Sequence, residues 1–185
     1  MAQNSPSDST AMLPTLKEQY GRVLYSYTAH LKEARLLANR NSWFKWADII
    51  LSAITTCGLL GVIFSDTSMY ELLSCCSSVV LLAISLYTKE AQLAENAVEH
   101  KEYANKLWLI RERYLALMTD IPILSYEESA QRRDGLQQEL ASLYQHEPLT
   151  SNRSYKQAQR ALKEEEEQYF TQEELNKILP AYLRD

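Results

Sequence analysis

The chain reads as an all-α membrane protein: a two-helix transmembrane hairpin extended by long cytoplasmic helices, with additional short C-terminal helices. Three observations lead there. Residues 49–65 contain no charged side chain, and residues 72–88 are a second run of the same length. Only six residues, 66–71, separate the two runs. On either side of this pair, apolar residues step alternately by four and three, which is the spacing of one helix face.

Each element follows from the residues in it. Residues 1–14 are rich in Ser, Asp and Pro and lack a basic stretch followed by an apolar one, so they are expected to be a disordered cytoplasmic tail rather than a cleaved leader. Residues 15–46 are expected to form a cytoplasmic helix. Its stripe is Leu16, Tyr20, Val23, Tyr27, His30, Ala34 and Leu37. Residues 47–65 are the first transmembrane helix, 66–71 an external loop, and 72–88 the second transmembrane helix. An apolar run of 17 residues makes about 25 Å of helix, at the short end for a core of about 30 Å. Trp43, Phe44, Trp46, Tyr70 and Tyr87 stand where an interfacial aromatic belt would lengthen each span. A hairpin buried in a soluble bundle is the competing reading, but such a hairpin rarely lacks charge on every face. The whole-chain mean hydropathy of −0.33 hides these runs because the remainder is so polar.

Residues 89–119 are expected to form a matching cytoplasmic helix. Its stripe is Leu93, Ala97, His100, Ala104, Leu107, Arg111, Tyr114 and Met118. Residues 125–185 supply the C-terminal cytoplasmic helices. Pro122 ends the long helix, and Ser125 with Glu128 and Thr171 with Glu174 are capping boxes. Ser154 is the expected cap of the helix between them, with Tyr155, Ala158, Leu162 and Tyr169 on one side. Lys and Arg flank both spans on one side and are absent from residues 66–71, which puts both termini in the cytoplasm and the loop outside.

The chemistry-bearing residues are few. No phosphate loop, nucleophile elbow or zinc spacing is present, and four glycines give little scope for a phosphate cradle. Neither an enzyme activity, a cofactor nor a metal is expected, and the net charge of −5 argues against nucleic acid. His30 and His100 lie on the two arm stripes. Counted from the ends of the apolar runs they are offset by about 10 Å, too far to share a metal. Tyr20, Tyr27, His30, His100, Leu107 and Arg111 are expected at a helix interface within or between subunits. In the first span Ala53, Cys57, Gly61 and Ser65 recur every fourth residue, a ribbon of small residues that lets membrane helices approach closely. Ser52, Thr55, Thr56, Ser74, Ser78 and Ser85 carry hydroxyls. These either bond back to their own helix or line a pore built by several subunits. The cysteines Cys57, Cys75 and Cys76 are poorly placed to pair. The apolar runs 49–65 and 72–88 hold no Asp, Glu, Lys, Arg or His, which disfavours a proton relay or coupled transporter.

The order of features resembles the SLATT family. The resemblance rests on the stripe Tyr20, Tyr25, Tyr27 and His30, the boundary at Trp43 and Trp46, two close spans, and the stretches His100-Lys-Glu-Tyr-Ala104 and Leu107-Trp-Leu-Ile-Arg111. The Ile-Leu-Pro-Ala-Tyr-Leu ending at residues 178–183 completes it. The resemblance covers about residues 15–183. It implies a bacterial inner-membrane effector of nucleotide-signalling and related defence systems, a homo-oligomer that permeabilises or depolarises the membrane. It also implies a trigger supplied by a neighbouring sensor or nucleotide-signalling protein. A non-conducting anchor or scaffold that recruits a cytoplasmic partner is the alternative. A holin is a third class, disfavoured by the large cytoplasmic part.

Overall fold

The computed structural model describes residues 6–64, 67–180 and 182, with side chains from Met12 onward. Six helices account for nearly all of the described chain. Helix α1 runs unbroken over Pro6–Phe64, 59 residues or about 88 Å. Helices α2 (Ser68–Ala91) and α3 (Leu93–Asp120) return antiparallel along it. Helices α4 (Tyr126–Tyr144), α5 (Asn152–Lys163) and α6 (Gln172–Ile178) follow. α4 packs on α3, and α5 packs on α1.

The membrane part is the hairpin of α1 and α2. Both α1 and the α2–α3 arm contain stretches long and apolar enough to cross a bilayer, and only 6% and 11% of those stretches is buried. A soluble core hairpin would be mostly buried, so this exposure is what separates the two readings. Ile49, Leu60, Ile63, Phe64, Leu72, Val79, Leu82 and Leu86 all point outward.

Outside the membrane the stripes close against each other as their spacing requires. Leu16, Val23, Leu107, Ile110, Tyr114, Leu117 and, from α4, Leu136 and Leu140 form one apolar cluster. Burying side chains of this size contributes roughly 1.5–3 kcal/mol each. α4 starts at a true capping box: Ser125 Oγ accepts from Glu128 N, and Ser125 N donates to the Glu128 carboxylate. α6 starts in the same way at Thr171 and Glu174.

Four expectations are corrected. The N-terminal tail is helical from Pro6, and Met12 is buried in the cluster that holds Leu117 and Ile121. Met12 sits one turn before Leu16 on the same stripe, so burial carries the helix across the exposed Pro14. Residues 1–5 lie outside the described residues. The polar break is shorter than residues 66–71, because Ser68 to Glu71 already form the first turn of α2, where Glu71 suits the positive helix end. α5 is capped by Ser151 rather than Ser154, and Ser154 is buried inside it beside Ala158 and Ala161. Tyr155 is exposed, and Tyr169 lies beyond the helix. Finally, the second arm is not continuous. Gln92 adopts φ 43° and ψ 40°, a left-handed conformation rare for a residue with a side chain. Asn96 steadies the break, its Nδ2 donating to Ala91 O at 3.2 Å and its backbone N to Gln92 O at 2.9 Å.

Candidate functional site: the hairpin seam

The seam between α1 and the returning arm carries nearly all the polar contacts that the sequence singles out. Its register is a mirror about the α1–α2 junction. Gly61 meets Tyr70, Gly58 meets Ser74, Thr55 meets Ser77, Phe44 meets Tyr87, and His30 meets His100.

Within the membrane the seam is built from small residues and hydroxyls. Gly58 is buried against Ser74, and a Cβ there would overlap Ser74 Oγ and come within 3.3 Å of Tyr70 O. A Cβ on Gly61 would lie 2.7 Å from the Tyr70 ring. Thr55 Oγ1 and Ser77 Oγ share a hydrogen bond of 2.7 Å, and Ser77 Oγ also reaches Ser74 O at 3.1 Å. In hydrocarbon each hydroxyl needs such a partner.

The expected pore-lining residues therefore divide. Ser74 is buried in the seam, and Thr55 turns into it, so neither faces a lumen outside the hairpin. Ser52, Thr56, Ser78 and Ser85 face outward. Thr56 Oγ1 donates to Ser52 O at 2.9 Å and Ser78 Oγ to Cys75 O at 2.8 Å, the back-bonding that satisfies a hydroxyl without a neighbour. The small-residue ribbon divides too. Gly61 lies in the seam, whereas Ala53 and Cys57 are exposed and Ser65 lies outside the described residues. Close approach runs instead through Gly58 and Gly61, because a seam drifts round a straight helix by steps of three as well as four. All three cysteines are free and exposed, so Cys57, Cys75 and Cys76 are not packed in the seam.

At the membrane boundary Arg40 hydrogen-bonds the Tyr87 hydroxyl, and its guanidinium lies 5.4 Å from the Tyr87 ring centroid and 6.0 Å from that of Phe44. A cation placed over rings holds the two helices together where they leave hydrocarbon.

Further down, the histidines meet, which overturns the expected 10 Å offset. His30 Nδ1 and His100 Nδ1 are 2.9 Å apart, and both rings are buried. A count from the margins of the apolar runs centres the fold-back on the middle of residues 66–71, whereas α2 already begins at Ser68, which shifts the pairing and brings the two histidines level. His30 Nε2 bonds Glu147 Oε1 at 3.1 Å. A carboxylate only accepts, so His30 Nε2 carries the proton, its Nδ1 is the acceptor, and His100 Nδ1–H is the donor. Burial lowers the pKa of both rings below the ordinary 6.5; for His30 the Glu147 carboxylate opposes this, and for His100 the His30 ring adds to it.

The linker between α4 and α5 is tied to the same stretch. Glu33 accepts from Ser151 N at 2.9 Å and from Ser151 Oγ at 2.5 Å. Burial pulls the Glu33 carboxyl upward, but the bonds from Ser151 and Ser154 outweigh it and hold the group below its ordinary value. Tyr20 and Arg111 meet across the seam, the Arg111 guanidinium 6.0 Å from the Tyr20 ring centroid. Tyr27 packs at the edge of the core and Leu107 at its centre. Reasoning from sequence missed Gly58, Ser77, Glu33, Glu147 and Ser151. Only Gly58 leaves a sequence signal, as the second small residue one turn from Gly61. Among the described residues no group of three or more His, Cys, Asp or Glu is set to hold a metal.

A hairpin of two apolar spans, sealed by glycine and hydroxyls and continued into two paired arms, is an architecture that a family model matches over residues 12–174, that of the SMODS and SLOG-associating 2TM effector domain family 4. The chain belongs to this family. It is a SLATT membrane protein, and its two spans are those of a two-transmembrane effector domain associated with defence systems. The matched region begins at buried Met12 and ends at Glu174 in α6, so it takes in the hairpin, both arms and the linker that binds them. No curated protein and no solved structure matches the chain.

Proposed function

We propose that this SLATT protein is a homo-oligomeric effector that permeabilises or depolarises the bacterial inner membrane, in the manner of an abortive antiphage response. The observation that carries this reading is the outward face of the hairpin. The two helices seal against each other and leave no lumen, while Ser52, Thr56, Ser78 and Ser85 remain turned outward among apolar side chains. Ser52 and Thr56 stand one turn apart on α1, and Ser78 and Ser85 two turns apart on α2. Hydroxyls turned to lipid gain nothing, whereas in a ring of subunits they line a path with no charged filter, so ion selectivity is weak. The arrangement of Lys and Arg supports arms and termini in the cytoplasm, where a neighbouring sensor or nucleotide-signalling protein would act on them. No catalytic group or cofactor enters this mechanism.

Thr56→Leu in purified oligomer, reconstituted in liposomes, tests the reading. A narrow apolar ring gates by dewetting. Leakage and cellular toxicity should fall with expression and oligomer mass unchanged, while Ser142→Leu, on the exposed face of α4, leaves leakage as it was. A monomeric particle, or a wild-type oligomer that passes no ions with its cellular activator present, would replace the pore with the scaffold reading.

A further inference from the structure

The His30–His100 contact has room for a limited number of protons. In the neutral cluster one proton lies between the two Nδ1 atoms, and His30 Nε2–H points at Glu147. A first added proton can go to His100 Nε2, which has no part in this network, and every hydrogen bond survives. A second can go only to His30 Nδ1, the atom that already accepts. Two N–H groups on two cationic rings then face each other at 2.9 Å. Donor against donor is repulsive at that distance, and neither ring can retreat within a buried seam.

We propose that the His30–His100 pair is a proton-operated latch that holds the two arms together at neutral pH and releases them on acidification. Three carboxylates face it: Glu33 from α1, Glu99 from α3 and Glu147 from the linker. α4 contributes Tyr144 near Glu147, and α5 contributes Ser154 on Glu33. The carboxylates favour the first proton. They do not relieve the second, because the clash is between the rings themselves. Opening frees more than the ring pair, since Tyr103 of α3 packs on His30 with ring centroids 4.4 Å apart. The α4–α5 linker stays with α1: Glu147 accepts from His30 Nε2 and from Ser26 Oγ at 3.3 Å, and Ser151 donates to Glu33.

The sign of the pH dependence follows from burial. Both folded-state values lie below the ordinary 6.5, so at neutral pH the rings are uncharged and the latch is closed. As pH falls through 6.5 the open form takes up protons that the closed form refuses, and closure is lost progressively. The latch is a property of the arms alone. It stands whether or not assembled spans conduct, so leakage is not its readout.

Hydrogen exchange on the full chain in detergent micelles, at pH about 7.5 and about 5.5 and corrected for intrinsic rates, tests it. Wild-type protein should lose protection at least about tenfold in peptides covering His30 and His100, while the cluster around Leu107 and Tyr114 keeps its own. The double variant His30→Gln/His100→Asn keeps hydrogen-bonding groups of similar reach without a titrating ring, and its protection should not change between the two pH values. His146→Asn, an exposed neighbour, should respond as wild type does. Equal protection at both pH values in wild type overturns the latch, as does an equal loss in the double variant. Should the double variant fail to fold, the two ring signals in the NMR titration of the His146→Asn protein decide. Both titrating below 6.5, together with loss of protection around His30 and His100, supports the latch; either titrating at its ordinary value overturns it.

Discussion

The glycine at position 58 allows a direct measurement of how tightly the hairpin is sealed. Replacing a glycine by alanine inside a helix removes backbone freedom from the unfolded chain and stabilises by about 0.5–1 kcal/mol where space permits. Gly21 is such a place, with nothing within 4 Å of a built Cβ. Gly58 is the opposite. Its Cβ would overlap Ser74 Oγ, and even with that hydroxyl turned away it would meet Tyr70 O at 3.3 Å and Ser74 Cβ at 3.4 Å. Ser74 can rotate only by giving up its long bond of 3.4 Å to Thr55 O. Overpacking of this kind costs about 1–3 kcal/mol. Subtracting the gain common to both alanines, Gly58→Ala should lie about 1–3 kcal/mol below Gly21→Ala. For a chain of this size 1 kcal/mol corresponds to about 2–4 °C in Tm.

The assay is thermal unfolding of the detergent-solubilised protein, followed by tryptophan fluorescence, for the two single variants, Ser74→Ala and the double variant Gly58→Ala/Ser74→Ala. Removing Oγ leaves only the tight contacts, so the double variant should recover most of the difference, a coupling of about 0.5–3 kcal/mol between the two sites. If Gly58→Ala stabilises as much as Gly21→Ala, the helices do not meet at Gly58, and the small residues on the other face, Ala53 and Cys57, must make the approach instead.

Two further outcomes are expected. Gly135→Ala in α4 should raise Tm by the same increment as Gly21→Ala, because a Cβ there also meets nothing within 4 Å; a fall in Tm would mean that α4 is not helical at that position. Glu33→Gln should lower stability at neutral pH and make it less sensitive to acid. The Glu33 carboxyl is held below its ordinary 4.5, so its contribution is present above that value and is lost as pH falls through the folded value. Chemical denaturation at pH about 7 and about 3 checks this, and an equal difference between wild type and variant at both would refute it.

The elements legible in the sequence are those set by local pattern. The arm stripes could be read because a helix face repeats every three or four residues whatever it packs against, and Leu16, Val23, Leu107 and Tyr114 are buried accordingly. The capping boxes at Ser125 and Thr171 could be read because the cap and its partner are three residues apart. What was not legible depends on register. The histidine contact follows from the turn beginning before Ser68, and Ser68-Met-Tyr-Glu71 looks as much like a loop as like a first helical turn. The break at Gln92 has no glycine or proline to announce it, because Asn96, four residues later, supplies the missing bonds. Glu33 joins Ser151, and His30 joins Glu147, across more than a hundred residues, a distance at which no periodicity links them.

One register therefore serves a seam whose chemistry changes along its length. Near the loop it needs glycine, because Tyr70 lies across the backbone of α1. At mid-membrane it uses hydroxyls, which can pair where no water competes. At the boundary it uses Arg40 between aromatic rings, below that two imidazoles, and at the far end an aliphatic cluster. On the α1 side these levels cannot slip separately, since α1 is a single rod. The returning arm is different. Its helical dihedrals are already broken at Gln92, just past Lys89 and above His100. A change at the histidine level can therefore tilt α3 without tearing Thr55 from Ser77, and a change in the membrane can move α2 without opening the aliphatic cluster. The straight helix fixes the register, and the broken one is the only described backbone position along the returning arm where its two levels can move separately.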